Sequence, residues 1–170
     1  ALKLNQTQQF DGYDTARSVG REFSLVMATI RLINSGVFDR HPSLTVHMSH
    51  LGGGLSALLG RIRSYQDKDF WGTLDNARHG RKASKDFDYY LRNNMVFDTA
   101  GFCGAMGAVK GALIEIPASR IVFATDYPQE IRERAAVRDF VKELRALGKD
   151  GDAILFGNVS KLLKQPAKAA

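Results

Sequence analysis

Leu44-Thr45-Val46-His47-Met48-Ser49-His50, followed by Leu51-Gly52-Gly53-Gly54 and then by Leu55, Leu58, Leu59 and Ile62, is the stretch from which the fold is read. The first seven positions are rich in β-branched and apolar residues, which predicts a strand ending at a histidine. Leucines then return at helical spacing. The unit is strand, tight glycine turn, helix. Gly52-Gly53-Gly54 has neither the G-x-G-x-x-G spacing nor a Gly-Lys-Ser/Thr. A dinucleotide fold and a P-loop are therefore unsupported, and a phosphate cradle is a weak reading.

Working outward, Val19, Phe23, Val26, Met27, Ile30 and Ile33 fall on one stripe of a 3.6-residue period. They predict a helix with Asp14 or Thr15 as N-cap and Gly36 at the position after the C-cap. Pro42 forbids its continuation. Downstream, residues 64–94 are polar and aromatic, and a short helix is expected over 87–92. Met95-Val96-Phe97-Asp98 is a second apolar run ending in an acid, with Met106, Val109, Leu113 and Ile114 following at helical spacing. Ile121-Val122-Phe123-Ala124-Thr125-Asp126 is a third. Tyr127-Pro128 turns the chain into a charged helix over 130–147, with Ile131, Phe140, Val141 and Leu144 inward, and a last helix is expected over 158–164. Three apolar strands, each followed by a helix, imply an α/β fold with a parallel sheet covered by helices. A flavodoxin-like open sheet is the structural alternative.

Composition sets the frame. The 170 residues carry 24 Lys and Arg against 18 Asp and Glu, a net charge of +6, with 44% hydrophobic and 25% charged residues. That is the profile of one folded domain, 1–170, and excludes a disordered, collagenous or coiled-coil chain. Cys103 is the sole cysteine, so no intrachain disulfide can form and any metal site must use His, Asp or Glu. No apolar run approaches the roughly 18–20 residues that cross a bilayer, and no secretory signal pattern opens the chain. The expectation is a soluble, cytoplasmic protein without a membrane partner. The basic run 78–85 (RHGRKASK) reads as a solvated loop. Phe70, Trp71, Phe87, Tyr89 and Tyr90 lie outside it, unlike the interleaved aromatics of single-strand platforms, so nucleic acid is a minority reading. Phe70 and Trp71 suit a subunit contact, and a homo-oligomer is expected.

His50, Asp98 and Asp126 each close one of the three strands, at the edge where parallel α/β folds place ligands. Imidazole and carboxylate on neighbouring strand ends are ligands for Zn²⁺ or Mn²⁺, and they also serve as general acid or base. The alternatives are a histidine bonded to a backbone carbonyl and an aspartate capping its own turn. His47 should point away from His50 if the strand is regular. His41 and His79 read as surface histidines.

The segment Ser35-Gly36-Val37-Phe38-Asp39-Arg40-His41-Pro42 before the first strand, and His50-Leu51-Gly52-Gly53-Gly54 after it, resemble the amidohydrolase superfamily. The branch is the one that includes aminocarboxymuconate semialdehyde decarboxylase and γ-resorcylate decarboxylase. Thr125-Asp126-Tyr127-Pro128 and Gly157-Asn158-Val159-Ser160-Lys161-Leu162-Leu163 resemble the same branch, and the similarity runs from about residue 20 to 164. The resemblance implies a (β/α)₈ TIM barrel of which this chain holds strands 6 to 8, the C-terminal portion. It makes Asp126 a metal ligand, with Zn or Mn as cofactor, and His50 the catalytic histidine. It implies no role for Asp98, which is expected to support a neighbouring loop. The activity implied is decarboxylation of an aromatic or unsaturated carboxylic acid, a small-molecule carboxylate. Phe102 and Tyr127 are candidates to line its pocket. A hydrolase of the same superfamily and a noncatalytic half-barrel are the alternatives. The family's His-x-His pair on the first strand and its histidine on the fifth have no counterpart, since no histidine precedes His41. Three strands cannot close a barrel. The N-terminal half is expected from the same polypeptide or another chain.

Overall fold

The computed structural model describes residues 13–66 and 83–163. His79, Phe70, Trp71 and most of the basic run lie outside the described residues. A π-helical turn, Ala16–Gly20, runs into α1 (Arg21–Asn34), and Gly36 at φ +72° ends it as the sequence predicts. A single turn, α2 (Val37–Arg40), leads to β1 (Val46–Met48). A 3₁₀ turn (Leu55–Leu58) opens α3 (Leu59–Gln66), and α4 (Phe87–Asn93) leads to β2 (Met95–Asp98). α5 (Met106–Glu115), β3 (Ile121–Val122) and α6 (Arg134–Arg145) follow. The chain closes with α7 (Lys149–Asp152), a π segment and α8 (Asn158–Leu162), joined without a break in helical backbone.

The three strands form one parallel sheet in the order β1-β2-β3, with Val46 opposite Met95, Met48 opposite Phe97, and Asp98 opposite Val122. Because side chains alternate, Val46, Met48, Met95, Phe97 and Ile121 share one face, and His47, Val96, Asp98 and Val122 share the other. The first face carries the hydrophobic core. Met95, Phe97 and Ile121 are fully buried there against Leu51, Leu55, Ile116 and Leu91. On the second face the His47 side chain is 54% exposed. Val96, Asp98 and Val122 on the same face are buried, so the exposure is confined to the β1 position. Among the described residues no fourth strand pairs with the outer edge of β1 or β3.

Several expected elements differ in extent. The first strand stops at Met48 and the third at Val122, so His50 and Asp126 lie beyond the ladder, on the loops that leave it. The buried stripe of α1 is Val26, Thr29 and Ile33, whereas Val19, Phe23 and Met27 are exposed, and so is Ile114 on α5. Periodicity located the helices but not the angle at which each meets the core. No helix among the described residues is long and apolar enough to cross a membrane.

Two buried asparagines tie the sheet to its surroundings. Asn94 Nδ2 donates to the carbonyls of Pro42 and Leu44, at the entrance to β1. Asn158 Nδ2 donates to Ala118 and Ile121, at 2.7 Å each, and so fastens α8 to the start of β3. Removing a partner from a buried acceptor costs about 1–3 kcal/mol, so Asn158→Ala is expected to cost about 2–4 kcal/mol. Urea unfolding measures this, and a loss below about 0.5 kcal/mol would show that the clamp holds nothing.

Candidate active site

After β1 the chain enters a left-handed turn. His50 has φ +57°, Leu51 +49°, Gly52 +67°, Gly53 +73° and Gly54 +77°. Left-handed backbone costs an ordinary residue roughly 1–2 kcal/mol, which explains three glycines in a row. At Gly53 a side chain is also excluded by space, because a Cβ would sit 2.0 Å from the Glu22 carbonyl oxygen. α1 and the turn are pressed together at residue 22.

That contact brings the Glu22 side chain to the histidine. Glu22 Oε1 lies 2.9 Å from His50 Nδ1, and both side chains are close to buried, 15% and 14% exposed. An ionised carboxylate can only accept, so Nδ1 carries a hydrogen and Nε2 is the nitrogen left to face Asp126. The ring also lies against Gly101, where a Cβ would come within 2.2 Å of His50 Cγ. Asp98, buried at the end of β2, fixes the backbone beneath. Its Oδ1 accepts from the His50 N–H at 2.9 Å and the Ala100 N–H at 3.0 Å, and its Oδ2 lies 2.9 Å from His47 Nε2. His47 and His50 do not share a ligand position, as their spacing predicts, but both are attached to Asp98.

Asp126 is brought in from the other side of β2. Thr99 Oγ1 donates to the Ala124 carbonyl and accepts the Ala124 N–H, which carries the pairing of β2 and β3 past the end of the ladder. Asp126 then turns at φ +51°, its carbonyl accepting from Gln129 and Glu130. Its Oδ2 faces His50 Nε2 at 3.8 Å, too far for a hydrogen bond. Among the described residues the carboxylate has no hydrogen-bond donor, and its side chain is 30% exposed. The predicted pair, His50 and Asp126, therefore converges.

The other candidates lie nearby. The Phe102 ring lies beyond Gly54, whose added Cβ would be 3.9 Å from its Cζ, and packs against the core. Tyr127 is 65% exposed at the rim. A polar cleft of about 460 Å³ borders Glu22 and Gly101, but Arg17, Arg21 and Arg132 in its wall are matched by Asp14, Glu22 and Glu130, so it has no excess charge for an anion. Cys103 donates to Glu130 Oε2 at 2.8 Å, and that carboxylate, aided by burial, holds the thiol above its ordinary pKa and leaves it a weak nucleophile.

A divalent ion fits one part of this arrangement. The Asp126 carboxylate is a hard ligand without a competing donor, and the imidazole nitrogen beside it is held in place. Among the described residues no three His, Cys, Asp or Glu side chains are placed to hold a metal by themselves. This chain offers one carboxylate and one adjacent imidazole. Sequence reasoning missed Glu22. Its role is not legible locally, because its partner lies 28 positions away.

Comparison with known proteins shows the family. A sequence profile described as amidohydrolase matches residues 23–147. The γ-resorcylate decarboxylase of Polaromonas sp. (strain JS666) is 30% identical over 135 residues, covering 79% of this chain and 39% of that protein. That of Rhizobium sp. (strain MTP-10005) is 32% identical over 107 residues, 63% of this chain and 31% of its own. Among solved structures, 2,6-dihydroxybenzoate decarboxylase from Rhizobium matches with a TM-score of 0.76 at 27% identity, over 94% of this chain and 48% of that one. The dihydroxybenzoic acid decarboxylase of Polaromonas sp. JS666, solved with manganese and the inhibitor 2-nitroresorcinol, matches with a TM-score of 0.67 at 29% identity, over 82% and 39%. The chain thus spans less than half the length of these relatives. With the profile covering most of its residues, the chain is a member of the amidohydrolase family.

Proposed function

We propose that residues 1–170 are the C-terminal portion, strands 6 to 8, of a (β/α)₈ barrel that decarboxylates an aromatic carboxylic acid with a divalent metal. The observation that carries this is the meeting of His50 Nε2 with the Asp126 carboxylate at 3.8 Å, with Nδ1 occupied by Glu22. The outer edges of β1 and β3, which pair with no further strand among the described residues, suit a remaining half-barrel, from the same polypeptide or another chain. The unpaired Cys103 suits the cytoplasm, and a homo-oligomer belongs to the same reading.

Asp126 is this chain's ligand for the ion, Mn²⁺ or Zn²⁺. When bound, the ion supplies Lewis acidity and orients the substrate's oxygens. His50 handles the proton. Decarboxylation breaks the bond between ring carbon and carboxylate carbon, CO₂ leaves, and the electron pair that stays on the ring carbon must take a proton. His50 Nε2, free while Nδ1–H is held by Glu22, takes up that proton and delivers it to the ring carbon, as a general acid. Asp98 keeps the histidine backbone in the left-handed conformation that aims the ring. Phe102 and Tyr127 offer apolar and aromatic surface at the mouth.

The test is CO₂ release from 2,6-dihydroxybenzoate by the natural protein, with metal content measured in parallel. Activity should vanish on chelation and return with Mn²⁺ or Zn²⁺. Turnover that survives complete metal removal, or failure to release CO₂ from any ortho-hydroxybenzoate by the metal-loaded protein, would overturn the assignment.

A further inference from the structure

We infer that Glu22 is a positioning residue for the proposed reaction: it fixes the tautomer of His50, so that Nε2 rather than Nδ1 faces the Asp126 carboxylate. The inference rests on the reading of His50 as proton carrier. Its physical basis is independent of substrate.

Three observations converge on it. Glu22 Oε1 is 2.9 Å from His50 Nδ1, across 28 positions of sequence. Glu22 Oε2 is buried with no hydrogen-bond partner among the described residues, so the imidazole is the only group that compensates this carboxylate through a short contact. A carboxylate so placed costs free energy that an apolar side chain would avoid, which makes a purely structural role a poor explanation. Finally, the backbone is shaped around the contact. Gly53 lets the α1 carbonyl of residue 22 approach the turn, and Gly101 leaves space for the ring on its other side.

The consequence for the ring is specific. Without an acceptor at Nδ1, a neutral imidazole can place its hydrogen on either nitrogen, and free side chains favour Nε2. The proton that Nε2 delivers must first be taken up there, and a neutral ring with its hydrogen already on Nε2 cannot accept it. Glu22 removes that form. Other histidine-orienting carboxylates act in this way, and their loss typically lowers activity about 10–100-fold.

Selective ¹⁵N-histidine labelling of the natural protein tests this, with long-range ¹H–¹⁵N correlation spectra recorded near pH 8.5 and the His50 signals assigned by their loss in His50→Asn. The wild-type ring should show hydrogen on Nδ1. Glu22→Gln, which keeps the size of the side chain and so the fold, and Glu22→Ala should both move it wholly or partly to Nε2. In the same variants kcat should fall about 10–100-fold, with KM within about threefold and bound metal unchanged. An unmoved tautomer in both variants, whatever the rate, overturns the inference, as does a moved tautomer with unchanged kcat. If the wild type decarboxylates nothing but the tautomer moves, the proposed reaction fails and the control of the ring by Glu22 stands.

Discussion

His50→Asn is expected to lower kcat about 10²–10⁴-fold, the range typical of a lost general acid, with bound metal retained. Asp126→Asn is expected to lose both metal and turnover. Asparagine is the informative replacement because both positions have positive φ, +57° and +51°, a region that it tolerates better than alanine does. The backbone N–H of residue 50 keeps its bond to Asp98, and the Asp126 carboxylate has no hydrogen-bond partner to lose among the described residues. Asp126→Asn should therefore shift the unfolding midpoint little, whereas His50→Asn leaves the Glu22 carboxylate without its imidazole partner and should lower it. The two variants separate the roles: metal without rate for His50→Asn, neither for Asp126→Asn. Wild-type kinetics in either one would remove it from the site.

The largest structural effect is expected at Gly53. An alanine Cβ there meets the Glu22 carbonyl oxygen at 2.0 Å and its carbon at 2.7 Å, both backbone atoms that cannot rotate away. Left-handed strain of roughly 1–2 kcal/mol adds to an overpacking cost of typically 1–3 kcal/mol. Gly53→Ala should thus destabilise by about 3 kcal/mol or more, and should push α1, with Glu22, away from His50. Gly54→Ala is the control, since only Phe102 Cζ lies within 4 Å of its Cβ, at 3.9 Å. It should cost no more than the backbone term. Urea unfolding of the pair decides the matter, and equal losses would show that the contact with α1 is not what demands glycine.

The order of strands and helices was legible in the sequence because each element carries its own period. The convergence of His50 and Asp126 was legible because polar groups after apolar strands of a parallel sheet gather at one edge. The rest depends on angles that local patterns do not encode. The stripe on α1 includes more apolar residues than the fold buries, so Phe23 and Met27 read as core and are exposed. Glu22 is one more charge on a helix until the fold sets it against a partner 28 residues away. The link from His47 to Asp98 follows from register, which only the paired strands reveal. A triplet of glycines announced a turn but not its hand.

That hand has a chemical consequence. A polymer of L-residues resists this sense of winding, whereas a D-residue prefers it. In a protein assembled by ligation, D-alanine at Gly54 would meet no backbone penalty where L-alanine does, and stereochemistry alone, with no change of formula, becomes a lever on the seat of this histidine.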